Sequence, residues 1–397
     1  MAEAPRRARP QRFILLYALA WAGGSIAYTP FLSILLPVRV THLAGPGADV
    51  TWLAYLAFTG AIAASFGNIL FGYLSDLTRF RRGWVMLGLV LSGLLLVVSG
   101  RAQTLPELIS AVAAWQLALN MMLAPLAAWA GDRIPDAQKG LLGGLLAFAP
   151  GLGALSGVLV VMPGLAEPAT RLVLVALLVT LCVVPVLVFD PGSSRPAGLP
   201  PPNAAPVSRR ALLARMWLAR LAVQIAEATM FAYLYFWLRT LDPAMDDSAT
   251  ARVLSAVLIL SAPSALLAGC WIDRTGQPMT PLVLCAALSA CGLLTMAAAG
   301  TLVVAIAGYA VFGLASGVFL ALHSAQTLRV LPRPERRGRD LGLFNLTNTV
   351  PSLVMPWLAL LMVPLFGYAG LFVLLAVLAG GAAVLLAATR QPQKLLA

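Results

Sequence analysis

Twelve apolar segments follow one another along the chain, and each is about as long as a membrane-spanning helix. Such a helix needs about 20 mostly apolar residues, and short loops containing charged residues, proline or glycine separate the segments. The segments cover residues 13–38, 51–74, 84–100, 106–130, 141–163, 170–189, 213–238, 253–272, 281–300, 302–328, 341–365 and 368–389. The pattern predicts an all-α membrane protein with twelve transmembrane helices.

Two features of this pattern are unusual. The ninth and tenth segments are separated only by Gly300 and Thr301. The first segment follows four arginines between positions 6 and 12, as the apolar part of a signal peptide does. Its apolar stretch is too long for a cleaved signal, so we expect a retained membrane anchor.

Composition supports a lipid-embedded chain. Hydrophobic residues make up 60% of the sequence and charged residues 11%, and the mean hydropathy is +0.89. Soluble domains carry about 25% charged residues. The net charge of +12 comes from basic residues spread over short loops, so it does not indicate a nucleic-acid partner.

The loop charges predict the orientation. With a cytoplasmic N-terminus, 21 of the 27 Lys and Arg residues lie in inside segments, 5 lie in outside loops and Arg220 lies within the membrane. Cytoplasmic loops of membrane proteins carry this excess of basic residues. We therefore expect both termini on the cytoplasmic side of a bacterial inner membrane.

A segment rich in proline and small polar residues separates the sixth and seventh helices. It spans 190–212 and predicts a cytoplasmic linker between two six-helix halves, 1–189 and 213–397.

Two loop motifs occur twice, about half the chain length apart. The copies of the first motif start at Gly72 and Gly269, 197 positions apart, and the aspartates that follow four residues later have the same separation. A second motif recurs with 198 positions between Gly140 and Gly338. Repetition of this kind is typical of a duplicated membrane transporter.

The residues of these loops resemble a known family. Gly72-x-x-x-Asp76, followed by two arginines, resembles the loop 2–3 signature of the major facilitator superfamily, and Gly269-x-x-x-Asp273-Arg274 resembles its counterpart in loop 8–9. The resemblance covers nearly the whole chain. It implies two pseudo-symmetric six-helix bundles that transport a solute by alternating access.

Two shorter stretches point to different branches of that family. Residues 337–345, followed by Pro351 and Pro356, resemble the glycoside and sucrose cation symporters. Residues 149–153 in the fifth segment resemble the proline-glycine motif of drug/proton antiporters, and close packing of small residues is the alternative interpretation.

The family resemblance implies a role for the loop aspartate. Asp76 is expected to hold the start of the eleventh helix, around residues 341–344, and to pair with nearby arginines, which makes it a conformational latch. A solvated loop charge is the alternative. The predicted latch residues are Gly72, Asp76, Arg79, Arg82, Gly269, Asp273 and Arg274.

Polar residues are unevenly distributed among the segments. The third, sixth, ninth and twelfth are almost entirely apolar, whereas the first, fourth, seventh, tenth and eleventh carry amides, a histidine, aromatic residues and ions. Because polar groups within a membrane are costly, the second set is expected to line a cavity and the first set to face lipid.

The seventh segment carries the densest polar face. Arg220, Gln224, Glu227, Phe231 and Tyr235 follow one another at spacings of 4, 3, 4 and 4, so they share one side of a helix. Arg220 and Glu227 lie seven residues apart, about 10 Å along the axis, so a direct pair would require both side chains to stretch.

Glu227 is the predicted proton-coupling residue, since a carboxylate within the membrane can exchange a proton as the cavity alternates between the two sides of the membrane. A structural carboxylate paired with another helix and a substrate-binding carboxylate are the alternatives. Arg220 and His323 complete the predicted proton-coupling set, and for His323 a packing role is the alternative.

The remaining cavity candidates are amides and aromatic residues, which suit a neutral hydroxylated ligand but also join helices. With the serine Ser25, they are Trp21, Tyr28, Gln116, Asn120, Gln326, Asn345 and Asn348, and the predicted substrate cavity also includes Gln224, Phe231 and Tyr235 of the seventh segment.

No enzymatic signature occurs in the sequence. It has no phosphate-binding loop, no metal-ligand cluster and no closely spaced cysteine pair, so we expect no cofactor, no metal and no catalysis. The sequence predicts a monomeric, proton-coupled secondary active transporter of a small organic solute. Sugar-like symport is favoured over drug or metabolite antiport, and a non-transporting sensor or assembly factor is a third alternative.

Overall fold

The computed structural model describes residues 8–44, 49–162, 164–167, 170–189, 206–245, 247–331 and 336–389. Helices connected by short turns and loops make up this part of the chain, and no strand occurs in it. Helices are the expected element because a bilayer offers no water to backbone groups, so each group must be satisfied within its own segment.

The helices are numbered along the chain by membrane-length segment. They are α1 (Ala8–Pro30, a π-helical turn at Phe31–Leu35, and Leu36–Ala44), α2 (Asp49–Thr78), α3 (Arg81–Ser99), α4 (Leu105–Arg133), α5 (Lys139–Leu146 and Ala149–Val161), α6 (Arg171–Phe189), α7 (Pro206–Leu241), α8 (Asp247–Thr275), α9 (Met279–Ala297), α10 (Leu302–Val330), and α11 and α12, which together form Arg337–Ala387.

The last helical run is two helices rather than one. Its 51 residues would extend about 77 Å as a single helix, more than twice the thickness of the hydrocarbon core. Gly367 interrupts it with φ 64° and ψ −175°, a conformation open to glycine because it has no Cβ. With α11 over 337–366 and α12 over 368–387, the predicted twelve helices are confirmed in the described residues.

The break between the ninth and tenth segments is also present, since α9 ends at Ala297 and α10 begins at Leu302.

Proline explains the irregularity of the first helix. The π-helical turn of α1 lies between Pro30 and Pro37, and neither proline has an N–H to donate to the preceding turn.

The chain divides into two compact units. Unit 1 comprises Met1–Pro135, Phe148–Leu199 and Leu331–Asn345, and unit 2 comprises Asp136–Ala147, Pro200–Val330 and Leu346–Ala397. The predicted halves supply most of each unit. However, the start of α5 belongs to unit 2 and the start of α11 belongs to unit 1.

In unit 1, α1 packs against α6 and the second part of α5, while α4 packs against both α2 and α3. Trp115 of α4 is fully buried, and its ring centroid lies 4.8 Å from that of Phe31. In unit 2, α10 packs against α7, α8, α9 and the first part of α5. The core of unit 2 contains Trp237 and Phe372, whose ring centroids are 4.6 Å apart.

Helix α7 begins at Pro206, so the end of the predicted linker 190–212 is helical. Residues 190–205 lie outside the described residues. The apolar segments expose large side chains, as lipid contact requires. In α6, for example, Leu177 and Leu181 are 61% and 70% exposed.

Candidate functional site

The carboxylate of Asp76 caps the N-terminus of α11. One carboxylate oxygen accepts from the backbone N–H of Gly338 and the other from that of Arg339, each at 2.9 Å. Arg81 donates to the same carboxylate at 2.5 Å. These backbone N–H groups belong to the first turn, where no intrahelical acceptor exists and the helix dipole is positive. A buried carboxylate satisfies both requirements.

The arginine that pairs with this carboxylate is not one of the predicted pair. Arg79 and Arg82 are exposed, while Arg81 reaches back to the carboxylate. Arg81 also donates to Asp132 at the end of α4, at 3.2 Å, and Arg337 donates to the other oxygen of Asp132 at 2.5 Å. The predicted latch residue Asp76 therefore belongs to a four-residue charge network with Arg81, Asp132 and Arg337.

The second copy of the motif makes the corresponding contact in unit 2. Asp273 accepts from the backbone N–H groups of Gly140 at 2.9 Å and Leu141 at 2.7 Å, at the start of α5. Its cation is Arg329, at 2.7 Å, whereas the predicted Arg274 is exposed. Each motif aspartate thus caps a helix that begins in the opposite half of the sequence.

Glycine pairs allow the backbones to meet at both caps. A Cβ added to Gly72 would overlap the carbonyl oxygen of Gly338, and one added to Gly338 would overlap that of Gly72. Gly269 and Gly140 have the same reciprocal relationship. The recurring glycines are required by close backbone approach.

The basic residue before each capped glycine also donates to a group near the end of another helix. Lys139 is buried and donates to the carbonyl oxygen of Leu328 near the end of α10, at 2.9 Å. Arg337 is likewise buried and reaches Asp132 near the end of α4. Sequence reasoning missed Lys139, Arg337 and Asp132, although the repeat offset of 198 aligns Lys139 with Arg337.

A polar cluster joins α7 to α10 and α11 within unit 2. The guanidinium of Arg220 donates to the Leu320 carbonyl (3.2 Å) and the Ser324 hydroxyl (3.1 Å) on α10. It also donates to the Thr347 hydroxyl (3.1 Å) and the Asn348 side-chain oxygen (3.3 Å) on α11. We call these five residues the Arg220 cluster.

Glu227 lies two turns further along α7. Gln224 donates to its carboxylate at 3.3 Å, as the helical spacing predicts. None of the described ion pairs joins Glu227 to Arg220. Tyr309 of α10 is the phenol within electrostatic range of the carboxylate. Glu227 is thus a half-buried carboxylate held by an amide.

The far end of the predicted α7 face is aromatic and more open. Phe231 is 70% exposed. The hydroxyl of Tyr235 accepts from Arg239 at 2.8 Å, and the Arg239 guanidinium also lies over the Tyr235 ring.

His323 is fully buried, and both of its ring nitrogens have partners. Nε2 lies 3.0 Å from the Met216 carbonyl of α7, and Nδ1 lies 3.3 Å from the Thr327 hydroxyl. These contacts fit the packing alternative. Gln326 lies beside the unit 2 cap formed by Asp273, where its side-chain oxygen accepts from Arg329.

The amides of α4 are engaged between helices of unit 1. Asn68 of α2 donates to the side-chain oxygen of Asn120 at 2.9 Å, and Asn120 donates to the Gln116 carbonyl at 2.9 Å. Asn120 and Gln116 are both buried. Asn68 was missed because a single amide in an apolar helix gives no spacing signal.

The predicted face of α1 is only partly open. Ser25 is buried and its hydroxyl lies 3.5 Å from that of Tyr28, which is 39% exposed. Trp21 is half-buried and its ring stacks on that of Tyr17. On α11, Asn345 is half-buried and Asn348 is exposed.

Within the described residues, no group of three or more His, Cys, Asp and Glu side chains is arranged to hold a metal ion. The four cysteines are free thiols in α6, α8 and α9.

Residues 216–396 match the family model of the Major Facilitator Superfamily. No curated protein matches the sequence significantly.

Three solved structures share the fold. The human organic anion transporter MFSD10 has a TM-score of 0.71 at 14% identity, over 96% of this chain and 100% of that one. A bacterial homologue of the iron transporter ferroportin, in an outward-facing state, has a TM-score of 0.69 at 16% identity, over 96% and 98%. The E. coli fucose:proton symporter FucP has a TM-score of 0.71 at 14% identity, over 97% and 100%.

Proposed function

The chain has the fold of the major facilitator superfamily, and its residues 216–396 match that family's model; from this premise we propose that it is a proton-coupled secondary active transporter of a small organic solute. Such a protein moves its solute by alternating access, with binding residues near the middle of the bilayer. Integral membrane placement follows from eleven apolar helical runs in the described residues, the last of which contains two helices.

The observation that carries the proton-coupling proposal is that the carboxylate of Glu227 has no described cation partner. This carboxylate lies within α7, its described hydrogen-bond partner is the neutral Gln224, and it forms none of the described ion pairs. An ionised group in a membrane is costly unless it is paired. A carboxylate without a cation in contact can lose that cost by taking up a proton, and can release the proton where water reaches it.

The two latches suit control of the conformational cycle. Asp76 and Asp273 each hold a helix N-terminus through two backbone N–H groups and one arginine. We propose that both sets of contacts stabilise one state of the cycle and that releasing them is part of the transition to the next.

Import by symport is the direction we favour. The antiport alternative rested on residues 149–153, and here Gly153 packs closely against Ser25 and Thr29 of α1. That contact fits close packing of small residues. The support for a sugar ligand is also smaller than the sequence indicates, because Asn120 and Gln326 are engaged by other protein groups.

We propose that both termini lie on the cytoplasmic side of a bacterial inner membrane and that the chain acts as a monomer. The charge bias of 21 basic residues against 5 supports this orientation.

Reconstitution tests the proposed function. The full chain is placed in liposomes that contain a pH-sensitive dye, a pH gradient is imposed, and solutes are added outside. A transporter of this class gives solute-dependent proton flux and solute accumulation that an ionophore abolishes. Solute movement that does not depend on the pH gradient would contradict proton coupling. Absence of solute movement would favour a sensor or assembly factor.

A further inference from the structure

We infer that the transported solute is a small carboxylate and that its negatively charged group binds Arg220. This inference deepens the proposed function and rests on it, because it names the substrate class served by the polar face of α7.

The charge of Arg220 has no carboxylate in contact with it in the described residues. None of the described ion pairs includes this guanidinium. Its partners, a carbonyl, two hydroxyls and an amide oxygen, are all neutral. A cation within a membrane is costly unless an anion compensates it. An anionic ligand would supply the missing charge.

The hydrogen bonds of Arg220 leave one side of the guanidinium available. The group has five N–H donors, and four of them have partners in the described residues. The remaining donor is on Nη2, whose contact with Asn348 is the longest of the four at 3.3 Å. Asn348 is exposed. A ligand would therefore approach at Nη2, beside Asn348.

The cluster also fixes the guanidinium before any ligand arrives. Nε is held by Thr347 on α11, and Nη1 is held by Leu320 and Ser324 on α10. A preorganised arginine loses little conformational freedom when it binds a carboxylate, and the remaining Nη2 donor can form one charge-assisted hydrogen bond with it.

The same geometry links the anion to the proton. Glu227 lies within electrostatic range of Arg220 and forms no described ion pair with it. Among the described residues, Gln224 on α7 donates to its carboxylate and Tyr309 on α10 lies within electrostatic range of it. A carboxylate bound at Arg220 would repel a charged Glu227. Solute and proton would therefore promote each other's binding, as the reciprocity of coupled sites requires.

Ligand-induced stabilisation of the purified full chain tests the inference. The probes are lactate, benzoate and succinate, their uncharged amides, and the neutral sugars fucose and sucrose. Each is added to detergent-solubilised protein, the shift of the thermal unfolding midpoint is measured, and binders are quantified by calorimetry. The variants are Arg220→Gln, Arg220→Lys and Asn348→Asp. Arg215→Gln is the matched control, because Arg215 is also on α7 but donates to the Ala388 carbonyl.

We expect at least one carboxylate to stabilise the native chain and the control, while its amide does not. Arg220→Gln should weaken the binding of that carboxylate about tenfold or more, since a charged hydrogen bond is worth about 1.5–3 kcal/mol. Arg220→Lys should retain part of the affinity. Asn348→Asp keeps the side-chain shape but places a carboxylate on Nη2, so it should fold normally and bind the probe weakly.

Three results would overturn the inference. They are equal stabilisation by carboxylates and amides, binding of a sugar but of no carboxylate, and no stabilisation by any carboxylate of the panel. Unchanged affinity in Asn348→Asp would assign Arg220 a packing role alone, even if Arg220→Gln does not fold.

The test separates this inference from the proposed function, because binding is measured without transport. Carboxylate binding without proton-driven flux would leave the ligand class standing and end the coupling proposal. Proton-driven flux of a sugar would leave the coupling proposal standing and end the assignment of a carboxylate ligand.

Discussion

The carboxylate of Asp273 accepts a 2.9 Å hydrogen bond from the backbone N–H of Gly140, 133 residues earlier in the chain. Asp76 and Gly338 have the same relationship at the same distance, across 262 residues. Each copy of the duplicated motif therefore binds a helix that starts in the other half of the sequence. The duplication is expressed as two reciprocal caps.

Replacement of Asp76 by asparagine should slow transport while leaving solute affinity largely intact. The amide has one oxygen to offer to two backbone N–H groups, and it loses the charge that holds Arg81. Hydrogen bonds to charged groups are worth about 1.5–3 kcal/mol, so we expect a loss of roughly fivefold or more in initial rate. Arg82→Gln is the control, because Arg82 is exposed. Equal rates in Asp76→Asn and native liposomes would end the latch assignment.

Replacement of Asp273 by asparagine should also slow transport. Its carboxylate holds Gly140, Leu141 and Arg329, so the cap of α5 loses the same kind of contacts. Arg274→Gln should transport normally, since Arg274 is exposed and the sequence motif alone singles it out. If Arg274→Gln is impaired and Asp273→Asn is not, the unit 2 cap has been misassigned.

A methyl group added at Gly72 should destabilise the fold. The Cβ of Gly72→Ala would overlap the Gly338 carbonyl, and inserting atoms into close packing costs about 1–3 kcal/mol. Thermal unfolding in detergent measures the effect. Gly151→Ala is the matched control, because nothing lies within 4 Å of a Cβ at Gly151. A midpoint for Gly72→Ala equal to that of the control would contradict the close approach.

His323 should prove structural. It is fully buried, with Nε2 against the Met216 carbonyl and Nδ1 beside Thr327. His323→Gln should therefore lower the free energy of unfolding, by about 1–3 kcal/mol for a lost buried hydrogen bond, and still show proton-driven transport. Thermal unfolding and dye-reported proton flux are measured on the same preparation. Loss of coupling with unchanged stability would return His323 to the proton path.

The fold was largely predictable because a bilayer fixes the length and apolarity of each helix. Even the weak break at Gly300 and Thr301 appears between α9 and α10. The break between the eleventh and twelfth segments is likewise present, where a single glycine with positive φ, Gly367, separates two helices.

Partners within the site were less predictable, because sequence spacing does not say which side chain turns toward a helix end. All three arginines, Arg79, Arg81 and Arg82, lie close to Asp76 along the chain, so spacing does not distinguish them. In the structure Arg81 is the one that reaches the carboxylate. Gln326 and Asn120 look like cavity amides by their helical position but are engaged by Arg329 and Asn68.

The repeat also relates two residues of opposite charge. The offset of 197 aligns Asp132 with Arg329, and both lie beside a cap. The first is an acid that bridges two arginines, and the second is the base that pairs with Asp273. The charge is reversed between the copies, which a search for identical motifs does not detect.

The central claim, that Glu227 carries the coupled proton, is tested most directly by solute flux in liposomes that contain the Glu227→Gln variant. Asp242→Asn is the matched control, because Asp242 is a carboxylate just beyond the end of α7 whose described side-chain hydrogen bond is a local one, accepted from the backbone N–H of Ala244. The account predicts that Glu227→Gln loses accumulation driven by a pH gradient while it retains exchange of labelled for unlabelled solute, and that the control keeps both. Proton-driven accumulation at the native rate in Glu227→Gln would contradict it.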